Sequence, residues 1–180
     1  MNPGQLSAPS GQRIFLALWP DDGVRGRLAA HADQWLWPAG CVRYAPEDWH
    51  VTLHFMGDVA TEKVPAIATA AALAFQPLDL AFNLVLDQPR LWPRGLAVLC
   101  ASELPAALKT LHEALGQALC ALDLVLDERP YVPHVTLARH ATAAIPPPAS
   151  EPVLWPLRGF ALVVSTGLRV PRYRVLRQYR

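Results

Sequence analysis

The sequence is poor in the residues that build metal centres, disulfide frameworks and broad basic faces. Only three of its 180 residues are cysteine (Cys41, Cys100 and Cys120), far apart and with no C-x-x-C pair. That odd, scattered set excludes a zinc ribbon and a disulfide scaffold. Each cysteine reads instead as a small buried hydrophobe in a reducing compartment. Lysine is nearly missing: Lys63 and Lys109 are the only two, and the remaining cations are arginines. A net charge of +1 does not call for a long polyanion held on a basic face. No apolar run reaches membrane-spanning length before a proline or a charge breaks it. The start lacks the basic and apolar regions of a signal peptide, so a cytoplasmic protein with no membrane partner is expected. The H-E-x-x-H, P-loop, G-x-S-x-G and G-x-G-x-x-G signatures are all absent.

A hydrophobic fraction of 52% is ample for a core. Residues 1–12, rich in Gly, Ser and Pro, read as a flexible tail, and 13–180 as one bilobal domain. Arg13–Trp19 is a short apolar strand. Val24, Leu28, Ala32 and Trp35 recur at helical spacing, so Asp22–Leu36 is a predicted helix entered through Pro20-Asp21. Cys41–Tyr44 and Trp49–Met56 are predicted strands, the second closed by Gly57-Asp58. Thr61–Phe75 is a second helix, capped by Thr61. Leu78–Leu86 and Gly95–Ala101 read as strands, and Ser102 and Glu103 lead into a helix through Leu122. Val132–Arg139 is a strand, Ala141–Pro156 a Pro-rich surface connection, and Phe160–Ser165 with Tyr173–Tyr179 a terminal hairpin.

Two stretches share one plan. Each runs from an apolar strand through an amphipathic helix to a strand bearing the same tetrapeptide, His50-Val51-Thr52-Leu53 and His134-Val135-Thr136-Leu137. Chance recurrence of a given tetrapeptide in so short a chain is on the order of one in a thousand or less. The internal repeats span about 13–57 and 95–140. The expected fold is α+β, duplicated and two-lobed, with mostly antiparallel sheets lining a central cleft and helices on the outer faces.

Side chains alternate along a strand. His50 with Thr52, and His134 with Thr136, therefore share a face, while Val51, Leu53, Val135 and Leu137 face the core. Paired about a pseudo-twofold axis, the four polar side chains can meet in one cleft. Imidazole titrates near neutrality, so one His can take a proton while the other gives one. The threonine hydroxyls can donate to phosphate oxygens. The pattern suits in-line displacement at phosphorus, and it requires neither a metal nor a cofactor.

Paired H-x-T-φ motifs (φ apolar) on internal repeats resemble those of the 2H phosphoesterase superfamily. Arg13–Leu18, Trp49–Asp58, Arg129–Arg139 and Pro171–Leu176 are similar to its RNA 2′,3′-cyclic phosphodiesterase branch, long called 2′-5′ RNA ligases. The resemblance implies opening of 2′,3′-cyclic phosphate at RNA 3′ ends or nucleotides to leave a 2′-phosphomonoester, with 2′-5′ joining of RNA ends as a side activity; a monomer is expected. It implies His50 as proton donor and His134 as acceptor, Phe55 as a base-stacking residue and Arg139 as a phosphate contact. Strict alternation puts Phe55 and Arg139 on the opposite face from their motif histidines, unless a bulge re-aims them. Alternation also puts His54 on the cleft side, as a solvated rim residue. His31, His112 and His140 read as surface histidines. Many relatives carry an acid before the late-strand Ser, where this chain has Val164 before Ser165. Arg169, Arg172, Arg174, Arg177 and Arg180 form a basic C-terminal segment able to attract an RNA backbone. Two alternatives use the same residues: a phosphodiesterase for small cyclic phosphates or 2′-5′ oligonucleotides, and a module that binds RNA ends or nucleotides without chemistry.

Overall fold

The structure, a computed structural model, describes residues 11–75 and 82–180. Most of the expected tail, and the first part of the strand expected over Leu78–Leu86, lie outside them.

An eight-stranded antiparallel sheet organises the molecule. Along it lie β10 (Tyr173–Tyr179), β9 (Phe160–Ser165), β1 (Gly11–Leu18), β3 (Val51–Ala60), β7 (His134–Arg139), β6 (Leu96–Cys100) and β5 (Gln88–Trp92), and the short β2 (Val42–Arg43) pairs with β7. A second sheet joins β4 (Asn83–Leu86) to β8 (Val153–Pro156). Among the described residues three α-helices pack with the sheets: α1 (Asp22–Ala32), α2 (Val64–Leu73) and α3 (Ala106–Cys120). This is the mixed, mostly antiparallel fold the sequence pattern predicts. Among the described residues no helix is long and apolar enough to cross a membrane.

One sheet face carries the large core. Ile14, Leu16, Val51, Leu53, Val135 and Leu137 pack there with Val24 and Leu28 of α1, Ile67 of α2 and Leu108, Leu115 and Leu119 of α3. On β1 the alternate residues Phe15 and Ala17 face the other way and join Ala161 and Val163 in a smaller cluster. This two-sided pattern follows from the period of two along a strand.

Local departures have local causes. Helix α1 is N-capped by the Asp21 carboxylate, which accepts from Val24 N at 2.8 Å. It ends at Ala32 rather than Leu36 because the Trp37 indole N–H takes the Ala32 carbonyl at 3.0 Å, while Trp35 and Trp37 stack. Helix α2 begins after a 3-10 turn, Thr61–Lys63, so Lys63 and not Thr61 stands at its N-cap. Strand β5 was not predicted. It carries Pro89, tolerated because β5 is an edge strand. The Pro-rich connection ends in strand β8, whose Val153 and Trp155 are buried in strict alternation. Of the cysteines only Cys100 is buried; Cys41 is half-buried and Cys120 is exposed at the end of α3.

Two histidines expected at the surface are packed against other rings, His31 buried and His112 half-buried. His31 is 2% exposed, and its Nε2 meets the Trp35 indole N–H at 3.2 Å. His112 stacks on His54, with centroids 4.0 Å apart, and on Tyr131 at 4.0 Å. His54 Nε2–H donates to the His112 carbonyl at 2.8 Å, and His112 bonds back to the Leu53 carbonyl. The two rings thus clasp β3 to α3, and Gly116 leaves the space that the His54 ring fills.

Burial pushes the pKa of His31 and His54 down and that of His112 down to about 4, the neighbouring His54 charge adding to the last. As pH falls below the ordinary value of 6.5, the unfolded chain protonates before the folded one does. Their stabilisation is therefore complete above that pH and lost as pH drops through the folded values. Thermal melts from about pH 7 to about pH 4 should show a steep decline, with each 1 kcal/mol costing about 2–4 °C in Tm. His112→Phe, which keeps the ring but not the proton, should flatten that decline; an unchanged slope would show the clasp is not its source.

Candidate active site

Strands β3 and β7 meet at one rung, Val51 opposite Val135. Those residues hold the same position in their tetrapeptides, so a local twofold relates the two motifs at that point. On the face away from the large core this brings His50, Thr52, His134 and Thr136 to one cleft of about 590 Å³. Phe15, Tyr44, Asp48, Phe55, Arg13, Arg139, Arg172 and Tyr173 also line it.

The two histidines are held alike. His50 Nδ1 lies 2.7 Å from the Asp48 carbonyl, and His134 Nδ1 lies 2.7 Å from the Val132 carbonyl. A carbonyl only accepts, so each Nδ1 carries the hydrogen. That leaves Nε2 on each ring free to exchange a proton.

Their surroundings differ. His50 sits among Phe15 (4.9 Å), Trp19 (stacked, 5.7 Å) and Tyr173 (edge-on, 4.9 Å). Burial pushes its pKa down to about 4 against the support of the Asp48 carbonyl, and the His134 charge lowers it further. His134 packs against Trp92 at 4.4 Å. Its pKa is lowered too, by burial first and by the Arg129 guanidinium second, while the Val132 carbonyl opposes them. Both rings are therefore neutral at neutral pH in the free protein. A charge on either ring disfavours a charge on the other, so the pair takes up one proton before a second.

Phe55 and Arg139 reach the cleft through a matched pair of bulges. On β3 the register against β1 steps from Thr52 to His54 and leaves Leu53 unpaired. On β7 the register against β6 steps from Thr136 to Ala138 and leaves Leu137 unpaired. The extra residue falls at the same motif position in both strands and reverses the alternation beyond it. His54 and Ala138 consequently turn inward, 7% and 0% exposed. Phe55 and Arg139 turn outward to the cleft. A second step on β3, at Met56 before Gly57 (φ +70), carries the strand on to Ala60 rather than ending it. His54 is therefore not a cleft-rim residue.

The cleft is rich in cations. Arg13 lies over the Phe55 ring at 5.3 Å, Arg139 over Tyr44 at 5.7 Å and Arg172 over Tyr44 at 4.6 Å. Of these three only Arg172 has an ion pair among the described residues, with Asp48. Of the five C-terminal arginines only Arg172 lines the cleft. The Thr52 and Thr136 hydroxyls have no hydrogen-bond partner among the described residues and remain available to a ligand. No group of three or more His, Cys, Asp or Glu among those residues could hold a metal ion. Sequence reasoning did not single out Arg13, Tyr44, Asp48 or Tyr173 for the site, and it placed Arg172 only within a general basic segment. One repeat signal was available for its aromatic and cationic contacts: Phe55 and Arg139 each follow their motif histidine by the same number of residues.

The family model described as the 2′-5′ RNA ligase superfamily matches residues 25–166. The chain is 31% identical over 140 residues to the RNA 2′,3′-cyclic phosphodiesterase of Escherichia coli K12, covering 76% of this chain and 78% of that one. It is 30% identical over an alignment of 183 residues to the RNA 2′,3′-cyclic phosphodiesterase of Thermus thermophilus, covering 93% of this chain and 89% of that one. The crystal structure of E. coli LigT complexed with 3′-AMP superposes with a TM-score of 0.82 at 27% identity, over 94% of this chain and 97% of the other.

Proposed function

The chain belongs to the 2′-5′ RNA ligase superfamily, and from that premise we propose that it hydrolyses RNA 2′,3′-cyclic phosphate ends to 2′-phosphomonoesters. The observation that carries the reading is the matched pair of Nδ1-anchored imidazoles, with two unpartnered threonine hydroxyls, in an arginine-rimmed cleft. The relatives' activity supports the choice of substrate.

In this mechanism one Nε2 takes a proton from water as it attacks phosphorus. The other Nε2 gives its proton to the departing ribose 3′ oxygen. The two threonines donate to the non-bridging oxygens, and Arg139 and Arg172 offset their charge. Phe55, 44% exposed, offers a ring for a base to stack on. The same displacement with a 5′ hydroxyl in place of water, the ribose 3′ oxygen leaving as before, would join a cyclic end to that hydroxyl through a 2′-5′ link. The protein acts as a monomer in this reading, with RNA 3′ ends as its partner. The family pattern makes His50 the donor and His134 the acceptor. Burial lowers the His50 pKa to about 4 in the free cleft, so His50 as donor requires the bound phosphate anion to favour its charged form.

The test is an oligonucleotide ending in 2′,3′-cyclic phosphate, incubated in EDTA and followed by phosphorus NMR. A 2′-phosphate product is expected. A 3′-phosphate, or no turnover, refutes the proposal.

The pH dependence follows from the lowered pKa values. One imidazole must be charged and the other neutral, and both titrate below 6.5 in the free protein. The bell for kcat/KM should therefore peak on the acid side of about pH 6.5. Bound phosphate favours the charged imidazole, so the kcat profile should lie at higher pH. Coincident profiles centred above neutrality would contradict this.

A further inference from the structure

Asp48 is the only carboxylate among the described residues lining the cleft, and it is 3% exposed. A negative charge there opposes an anionic ligand, so its place in a phosphate site needs a reason. Its contacts give one. The Asp48 main-chain carbonyl takes the His50 Nδ1–H at 2.7 Å. Its Oδ1 accepts the Arg172 backbone N–H at 3.1 Å, and its Oδ2 lies 3.6 Å from Arg172 Nε. One residue therefore holds a reactive imidazole and a cleft guanidinium that lies 124 positions away in the chain.

The pair is oriented as well as charged. Asp48 engages the Nε side of Arg172, and the Tyr44 ring supports its flat face at 4.6 Å. The terminal Nη nitrogens have no acceptor among the described residues. Arg172 also closes a stapled loop, with Thr166 N donating to its carbonyl at 2.9 Å and Thr166 Oγ1 donating to the preceding Pro171 carbonyl at 2.6 Å. Backbone and side chain are thus both fixed, and the fork's outer edge is left for a ligand.

We propose that Asp48 is a positioning residue: its carbonyl aims His50, and its carboxylate holds Arg172 so that the free guanidinium edge meets the non-bridging oxygens of the reacting phosphate. The proposal rests on the phosphoesterase reading above. An arginine held this way loses less freedom on binding phosphate than one swinging in solvent, and its charge outweighs the repulsion from the partly neutralised carboxylate.

The test is a double-mutant cycle of Asp48→Asn and Arg172→Ala with a 2′,3′-cyclic phosphate substrate. Asparagine preserves the carbonyl to His50 and removes the ion pair. Each single change should raise KM by roughly 10- to 100-fold, the range for a charge-assisted hydrogen bond, with a smaller loss in kcat. The double variant should be no worse than Arg172→Ala, because Asp48 acts through that arginine. Asp48→Asn with the wild-type KM, or losses that multiply independently, would overturn the proposal. If Asp48→Asn does not fold, Asp48→Glu retains the charge and displaces the guanidinium by one methylene. It should raise KM without a matching fall in Tm, and an unchanged KM overturns the proposal. If the wild type does not turn the substrate over, the phosphoesterase reading fails. The Asp48 coupling is then read from inorganic phosphate, titrated against the imidazole NMR signals of His50 and His134. Weaker binding in both single variants supports it, and wild-type affinity in Asp48→Asn overturns it.

Discussion

Replacing His50 or His134 by alanine should lower kcat/KM on a 2′,3′-cyclic phosphate end by roughly 10²–10⁴-fold, and replacing both should cost little more than the worse single change. The expectation follows from the anchoring of each ring. With Nδ1–H committed to a main-chain carbonyl, each imidazole offers one nitrogen for chemistry. Acid and base act in the same displacement, so losing one leaves the other little to do. Steady-state kinetics on the three variants check this, and a full rate in either single variant would remove that histidine from the mechanism. The same variants assign the roles. A substrate with sulfur in place of the leaving 3′ oxygen departs without a proton. The alanine variant at the acid position should regain most of its rate on it, and the variant at the base position should not.

Thr52→Val and Thr136→Val should each lower kcat by roughly 10²-fold, the usual loss when one donor to a developing negative charge is removed. Valine has nearly the shape of threonine and suits a strand, so the fold should be retained. Neither hydroxyl has a protein partner among the described residues to leave unsatisfied. The loss should fall on kcat more than on KM, because the two arginines still attract the ground-state anion. Equal Tm with reduced kcat is the signature; unchanged kcat in both variants would mean the hydroxyls do not touch the phosphate.

The sequence made the two tetrapeptides legible because a strand's period of two is a local property. It lost Phe55, Arg139 and His54 at one step, the unpaired Leu53 and Leu137. Nothing in a leucine announces a bulge; the bulge exists only relative to β1 and β6, which pair with these strands from elsewhere in the chain. Gly57 was a local hint, and it read as a strand end when it is part of a continuing, twisted strand. Helix α1 was overextended for a related reason. Trp35 fits its periodicity, and only the tertiary placement of Trp37 shows that the helix has already stopped. Asp48 and Arg172 were unreadable as a pair because charge and distance in sequence say nothing of who meets whom.

The single rung between Val51 and Val135 has a mechanical consequence. The long neighbours β1–β3 and β6–β7 are zipped by several rungs, but β3 and β7, which carry the tetrapeptides, are riveted to each other at one point. Behind that point β3 and β7 are backed by α2 seated against α3 and by the His54–His112 clasp that ties β3 to α3. In the proposed mechanism, a change of side-chain volume where those helices touch should act like a screw on a caliper, resetting the reach between His50 and His134 without altering either.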